Sequence, residues 1–234
     1  IFMCNRFENA EGIEIYRKLD EKVWQELKDA YEKRNTYATD IQVNSIVSIL
    51  DYKDGYNLTD RVWSMYFDND IDKFTNKPTN RFNLQTETLQ KPYRKDSKAI
   101  FESCRAVVGA TAYMEYVKPA KGVNIPIRIT IPDYPEFFFP CFTKDEVSES
   151  GQIIKYFTFL TITPNKFQAE FHSRMPVILT PQRAKAFLHD KPENAMSYCV
   201  PFDDTIQMYK EINFNITSKV AKTWLTKNQG FVLT

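Results

Sequence analysis

The stretch from Ala106 to Thr163 constrains the fold most, because its apolar residues fall in short runs of strand length and strand character. Ala106 to Tyr116 is largely apolar, Val123 to Ile131 alternates with a period of two, and Phe137 to Phe142 is a run that predicts burial. Ile153 to Thr163 follows the turn signal at Gly151 and reads as another strand. β-Branched and aromatic residues at these spacings fit a pleated surface, and an apolar run without alternation fits a strand covered on both faces. Pro126 cannot donate to a ladder, so its strand belongs at an edge or a bulge. Glu115 is the one carboxylate in the first run. It sits either on a wet face, the expectation from the run alone, or in an environment that raises its pKa for acid and base work.

Upstream, Glu11 to Lys33 places Ile13, Tyr16, Leu19, Val23, Leu27, Ala30 and Tyr31 at spacings of three and four, which predicts an amphipathic packing helix. Ser45 to Leu50 is β-rich, and Asp54-Gly55 behind it signals a turn. Val62 to Phe67 is a further strand candidate, in which Trp63 is either core or a stacking platform for an unpaired base. Asn69 to Asn80 reads as a loop, and Lys91 to Lys98 is a basic cluster able to hold backbone phosphates or to serve as plain solvated surface. Thr180-Pro181 is the N-cap and first position of a helix to about Leu188. Apolar pieces near Val200, Ile206 and Trp224 close the chain without a clear order. Strands with a few helices and no βαβ rhythm predict an α+β fold with largely antiparallel sheet, and the absence of a repeat or linker predicts a single domain over residues 1–234.

At 234 residues and 27.5 kDa the chain can bury a large core without staples, and no apolar run reaches the about 18 residues of a membrane span. Cys4, Cys104, Cys141 and Cys199 lie far apart with no metal-ligand spacing, which points to a reducing cytoplasm and to no metal or other cofactor. A net charge of +1 argues against a globally basic nucleic-acid protein, so any DNA contact needs a local patch.

Cys4 follows Met3, and removal of the residues before it would expose an aminothiol. An α-amine titrates near about 7.7–8.0 and a thiol near about 8.5, so both are partly reactive at neutrality. The amine condenses with an aldehyde to an imine, and the thiol then closes a five-membered thiazolidine. Ile1 and Phe2 block that nitrogen and are read as an upstream extension. The plainer reading of Cys4 is an ordinary buried cysteine.

Met-Cys-x-Arg-Phe at Met3 to Phe7, Asn-x-x-x-Glu-Thr at Asn83 to Thr88, Tyr-Met-Glu-Tyr at Tyr113 to Tyr116 and His-Ser-Arg-Met-Pro-Val-Ile-Leu at His172 to Leu179 stand in an order and spacing that resembles the SOS response-associated peptidase (SRAP) family. The resemblance implies a barrel-like sheet core with flanking helices. It also implies covalent capture of abasic sites in single-stranded DNA, in a cytoplasmic, bacterial or phage-encoded and nucleoid-associated setting, by a monomer with no membrane contact and with replication-fork partners left open. By that resemblance Cys4 supplies amine and thiol, Asn83 holds the N-terminus or the opened sugar, Glu115 shuttles protons, and His172 assists ring opening. Arg174 grips a phosphate, Trp63 lies beside the DNA, and Arg6, Gln85 and Arg94 join the DNA contact. The chain departs from the family at Asn5, where glycine is usual, at Gln85, where arginine is common, and at Ser64 to Tyr66 and Gly109 to Ala112. Two alternatives stand beside this expectation: an N-terminal-nucleophile peptidase with His172 as base, and a binding module for single-stranded DNA without chemistry.

Overall fold

The computed structural model describes residues 5–10, 12–21, 23–25, 27, 40–66, 79–89, 105–121, 123–148, 150–212, 223 and 231–233. Cys4, the 91–98 cluster with Arg94, Cys104 and Trp224 lie outside the described residues.

A five-strand barrel stands at the centre. Its members are β3 (Ile46–Tyr52), β4 (Tyr56–Trp63), β6 (Arg105–Ala110), β9 (Phe137–Val147) and β10 (Ile153–Ile162). The order β10-β4-β3-β6-β9 closes because β9 also pairs with β10, and the β4–β10 contact is the parallel one in the ring. A second sheet has the order β13-β12-β8-β7-β1-β2, built from β1 (Arg6–Glu8), β2 (Asp40–Gln42), β7 (Ala112–Ala120), β8 (Val123–Thr130), β12 (Tyr209–Ile212) and β13 (Phe231–Leu233). The architecture is α+β with mostly antiparallel pairing, as the strand-rich pattern predicts.

The run from residue 106 to 116 is two strands rather than one. The chain bends at Thr111, whose N–H donates to the Glu8 carbonyl at 2.8 Å, and passes there from the barrel into the second sheet. Pro126 lies opposite Tyr116, while β12 pairs with β8 only across Arg128 to Thr130. The missing donor therefore falls beyond the reach of β12. Upstream, the expected long helix is broken: Gly12–Lys18 is a 3-10 helix, and the helical residues between 21 and 27 follow a turn at Leu19. Ile15, Tyr16, Leu19, Val23 and Leu27 are buried.

Alternation along β10 sorts the core into two layers. Phe157 and Phe159 point into the barrel with Trp63, Phe139, Ile49 and Val108. Leu160 points outward with Phe138, Phe142 and Val107, beneath Ala184, Phe187 and Leu188 of the helix Pro181–His189. That helix begins where the sequence predicts, with the Thr180 side chain accepting from the Arg183 N–H. Trp63 is fully buried, its Nε1 donating to the Phe82 carbonyl at 2.8 Å and its ring packed 5.3 Å from Phe7 and 4.6 Å from Phe159. It is a core residue, so the expectation of a base-stacking platform is corrected. A ring enclosed on all sides has no face to offer a nucleotide.

Candidate functional site

Asn83, Gln85, His172 and Arg174 line a single cleft of about 430 Å³, with Asn80, Arg81 and Thr161 beside them. β5 (Asn83–Gln85) delivers the first two by pairing parallel to β10, with Asn83 opposite Phe159 and Gln85 opposite Thr161. The chain turns directly from β5 into α1 (Thr86–Leu89), which carries Glu87.

His172 comes from the loop after α2 (Lys166–Ala169). Asn165 caps that helix, its Oδ1 accepting from the Gln168 N–H at 3.0 Å, and the N–H of His172 then donates to the Gln168 carbonyl at 2.9 Å. The Arg174 N–H donates to His172 Nδ1 at 3.1 Å. The same Nδ1 lies 3.2 Å from the Arg174 carbonyl. The amide contact calls for a lone pair on Nδ1 and a proton on Nε2, the carbonyl contact for a proton on Nδ1, so the two contacts correspond to the two neutral tautomers. That Nε2 is buried and has no hydrogen-bond partner among the described residues. Burial pushes the ring below the ordinary histidine value; the backbone hydrogen bond with Arg174 works against it, and the charges of Lys118 and the Arg174 guanidinium add to it.

Arg174 is gripped before any ligand arrives. Its Nη1 and Nη2 donate to the two carboxylate oxygens of Glu87 at 2.7 and 2.8 Å, and Nη2 also donates to the Thr161 carbonyl at 2.6 Å. The same guanidinium holds the Glu87 carboxyl below its ordinary value. Bidentate pairing fixes the plane of the guanidinium as well as its place.

Glu115 is 0% exposed, which corrects the wet-face expectation. β7 runs between β8 and β1, and Gln168 covers the carboxylate, donating through Nε2 to Glu115 Oε1 at 3.2 Å. The same Nε2 donates to the Arg174 carbonyl at 3.2 Å, and Gln168 Oε1 accepts from the Tyr113 hydroxyl at 2.9 Å. A hydrogen-bonded chain thus joins Glu115 to the loop that bears His172. Gln168 escaped the sequence reading, and Tyr113 and Glu87 stood in its motifs without a role. The available signals were spacing: Gln168 lies one helical turn before His172, and Tyr113 lies two residues before Glu115 on the same face of its strand.

Arg6 is not among the residues that line the cleft; its guanidinium makes a two-pronged pair with Asp40 at 2.6 and 2.9 Å. Asn5 is half-buried, with its Oδ1 unpaired among the described residues. β1 lies antiparallel to β7 with Phe7 opposite Tyr113. Among the described residues no group of three or more His, Cys, Asp or Glu is placed to hold a metal ion, and no described helix is long and apolar enough to cross a membrane.

A sequence model of the SOS response associated peptidase (SRAP) family matches residues 3–220. The abasic site processing protein YobE of Bacillus subtilis is 30% identical over 134 residues, which cover 55% of this chain and 59% of that one. The abasic site processing protein YoqW of Bacillus phage SPbeta is also 30% identical over 134 residues, covering 55% of this chain and 58% of the relative. The match thus spans less than two thirds of these curated relatives. A crystal structure of a protein from Bacteroides thetaiotaomicron superposes with a TM-score of 0.68 at 17% identity, covering 91% of this chain and 93% of that chain. One from Bordetella bronchiseptica gives 0.65 at 15% identity, over 88% and 98%. These two likenesses are likenesses of fold.

Proposed function

The chain belongs to the SOS response associated peptidase (SRAP) family, and from that premise we propose that it processes abasic sites in DNA, capturing the lesion in single strands through an exposed Cys4. The observation that carries the reading is the meeting, in one cleft, of Asn83, His172 and Arg174 with Glu115 tied directly behind them. Running backward from Phe7 toward Asn5 follows β7 forward from Tyr113 toward Glu115, since the two strands are antiparallel. That direction favours a terminal aminothiol working against this carboxylate.

An abasic deoxyribose equilibrates with an open-chain aldehyde. The Cys4 amine adds to its carbon and water leaves, giving an imine. The thiol then adds across the C=N bond, sulfur to carbon and proton to nitrogen, and closes a thiazolidine. Aldehyde and aminothiol thus become thiazolidine and water with no redox change. Glu115 takes and returns the protons of these steps. His172, in the tautomer with its proton on Nε2, donates a hydrogen bond to the sugar oxygen as the ring opens; the Arg174 N–H at Nδ1 favours that tautomer. Asn83 orients the sugar, and Arg174 meets a phosphate once that anion displaces Glu87. The peptidase alternative needs His172 as a base toward the thiol.

The test uses protein trimmed to begin at Cys4 and an oligonucleotide with one abasic site. On a denaturing gel the trimmed protein is expected to shift the oligonucleotide, whereas Cys4→Ala and the form retaining Ile1 and Phe2 are not. Equal crosslinking by the extended form would rule out the amine and with it the ring-forming route. Thiol-dependent cleavage of a peptide without need of a free amine would favour the peptidase.

A further inference from the structure

We infer that Gln168 is a positioning residue that locks the Glu115 carboxylate and the His172 loop into one geometry, a role that rests on the function proposed above and names the part that aligns its site. Gln168 is 0% exposed and does not line the cleft. It nevertheless touches both sides of the chemistry. From its main chain the carbonyl accepts the N–H of His172 at 2.9 Å and of Phe171 at 3.1 Å. From its side chain Nε2 reaches Glu115 Oε1 on the second sheet and the Arg174 carbonyl on the loop, each at 3.2 Å, while Oε1 accepts from Tyr113.

The orientation of this amide is determined by its partners. The Arg174 carbonyl is an obligate acceptor, so the NH₂ end must face it, and the oxygen must face the tyrosine hydroxyl. Both donor hydrogens and the carbonyl oxygen are then in use, and the residue has no second way to sit. A buried polar group satisfied in this manner resists rotation, because any other rotamer leaves donors or acceptors unmet. The amide is also neutral at every working pH, so it supports the Glu115 carboxylate without competing for its proton. Among the described residues, Tyr113 donates to Gln168, and Lys118 and Arg174 act on the neighbouring His172.

Gln168→Glu keeps the shape and replaces the amide with an acid. The measurement is the rate of covalent capture of an abasic-site oligonucleotide against pH and against DNA concentration. The acid limb of the profile is expected to move up by about one pH unit or more, because two carboxyls at hydrogen-bond distance resist joint ionisation. The plateau rate is expected to fall roughly 10- to 100-fold, with the half-saturating DNA concentration unchanged within about twofold, since Gln168 lies outside the cleft lining. An unchanged profile and rate, or a raised half-saturation at an unchanged rate, overturns the inference. If Gln168→Glu fails to fold, Tyr113→Phe carries the test, with a smaller shift in the same direction expected and an unmoved profile overturning it. Titration of the Glu115 carboxyl carbon by ¹³C NMR in DNA-free protein separates this inference from the reading it rests on. Should the trimmed wild type capture no abasic DNA, that reading falls; a raised Glu115 midpoint in Gln168→Glu then upholds the positioning role, and an unmoved midpoint overturns it.

Discussion

His172 shows how much the surroundings of one ring decide. Its Nδ1 is held by the main chain of Arg174, and its burial favours the neutral form. The sign of the pH effect follows. A histidine held below its ordinary value binds a proton more readily in the unfolded chain, so the stability it contributes is present above about pH 6.5 and is lost as the pH falls from there through the folded-state value. In urea titrations between about pH 7.5 and 5, His172→Gln is expected to lose less stability than the wild type, because the other titrating groups cancel in the comparison. The same substitution is expected to slow capture of abasic DNA on the order of 10²-fold or more. A lone histidine in a sequence says none of this; its neighbour two residues on, folded back, does.

Elements meet where the sequence shows only a small residue. Gly109 lies on β6, and a Cβ added there would overlap the Ile15 side chain, which the 3-10 helix Gly12–Lys18 presses onto the barrel. The glycine serves close packing, since no left-handed conformation is required of it. Gly109→Ala is expected to destabilise by about 1–3 kcal/mol through overpacking. Paired with Ile15→Ala, which removes the three atoms the new Cβ would meet, Gly109→Ala is expected to cost less than it does alone, read as a positive coupling in a double-mutant cycle of urea unfolding. The strands β3, β8, β9 and β10 were legible because alternation and apolar runs report burial directly, whereas β4 is Tyr56–Trp63 and not the expected Val62 to Phe67. The broken helix was not legible, because periodicity over residues 13–27 is satisfied equally by a short 3-10 turn and a following helical segment that bury the same side.

Across the whole molecule, the barrel and the second sheet share one core. Phe7 of β1 sends its ring among barrel aromatics, 5.3 Å from Trp63, 5.2 Å from Phe159 and 5.9 Å from Phe139. This anchors the segment that follows Cys4 as firmly as any interior strand. Phe7→Ala is expected to cost about 3–5 kcal/mol and to shift far- and near-ultraviolet circular dichroism transitions together, since neither sheet keeps a complete core without the other. Separate transitions would show that the two sheets unfold independently.

The order and type of most strands, the capped helix at Thr180 and the candidacy of Asn83, Glu115, His172 and Arg174 were all determined by the amino-acid sequence alone, because they rest on local period, cap chemistry and motif. Which of these side chains face each other was decided only in three dimensions. Barrel closure brings β5 against β10, a bend at Thr111 carries Glu115 into another sheet, and Gln168 bridges residues 53 and 6 positions away in the chain. Trp63 changed meaning for the same reason: whether an aromatic ring is available to a ligand depends on what tertiary packing has already placed against it.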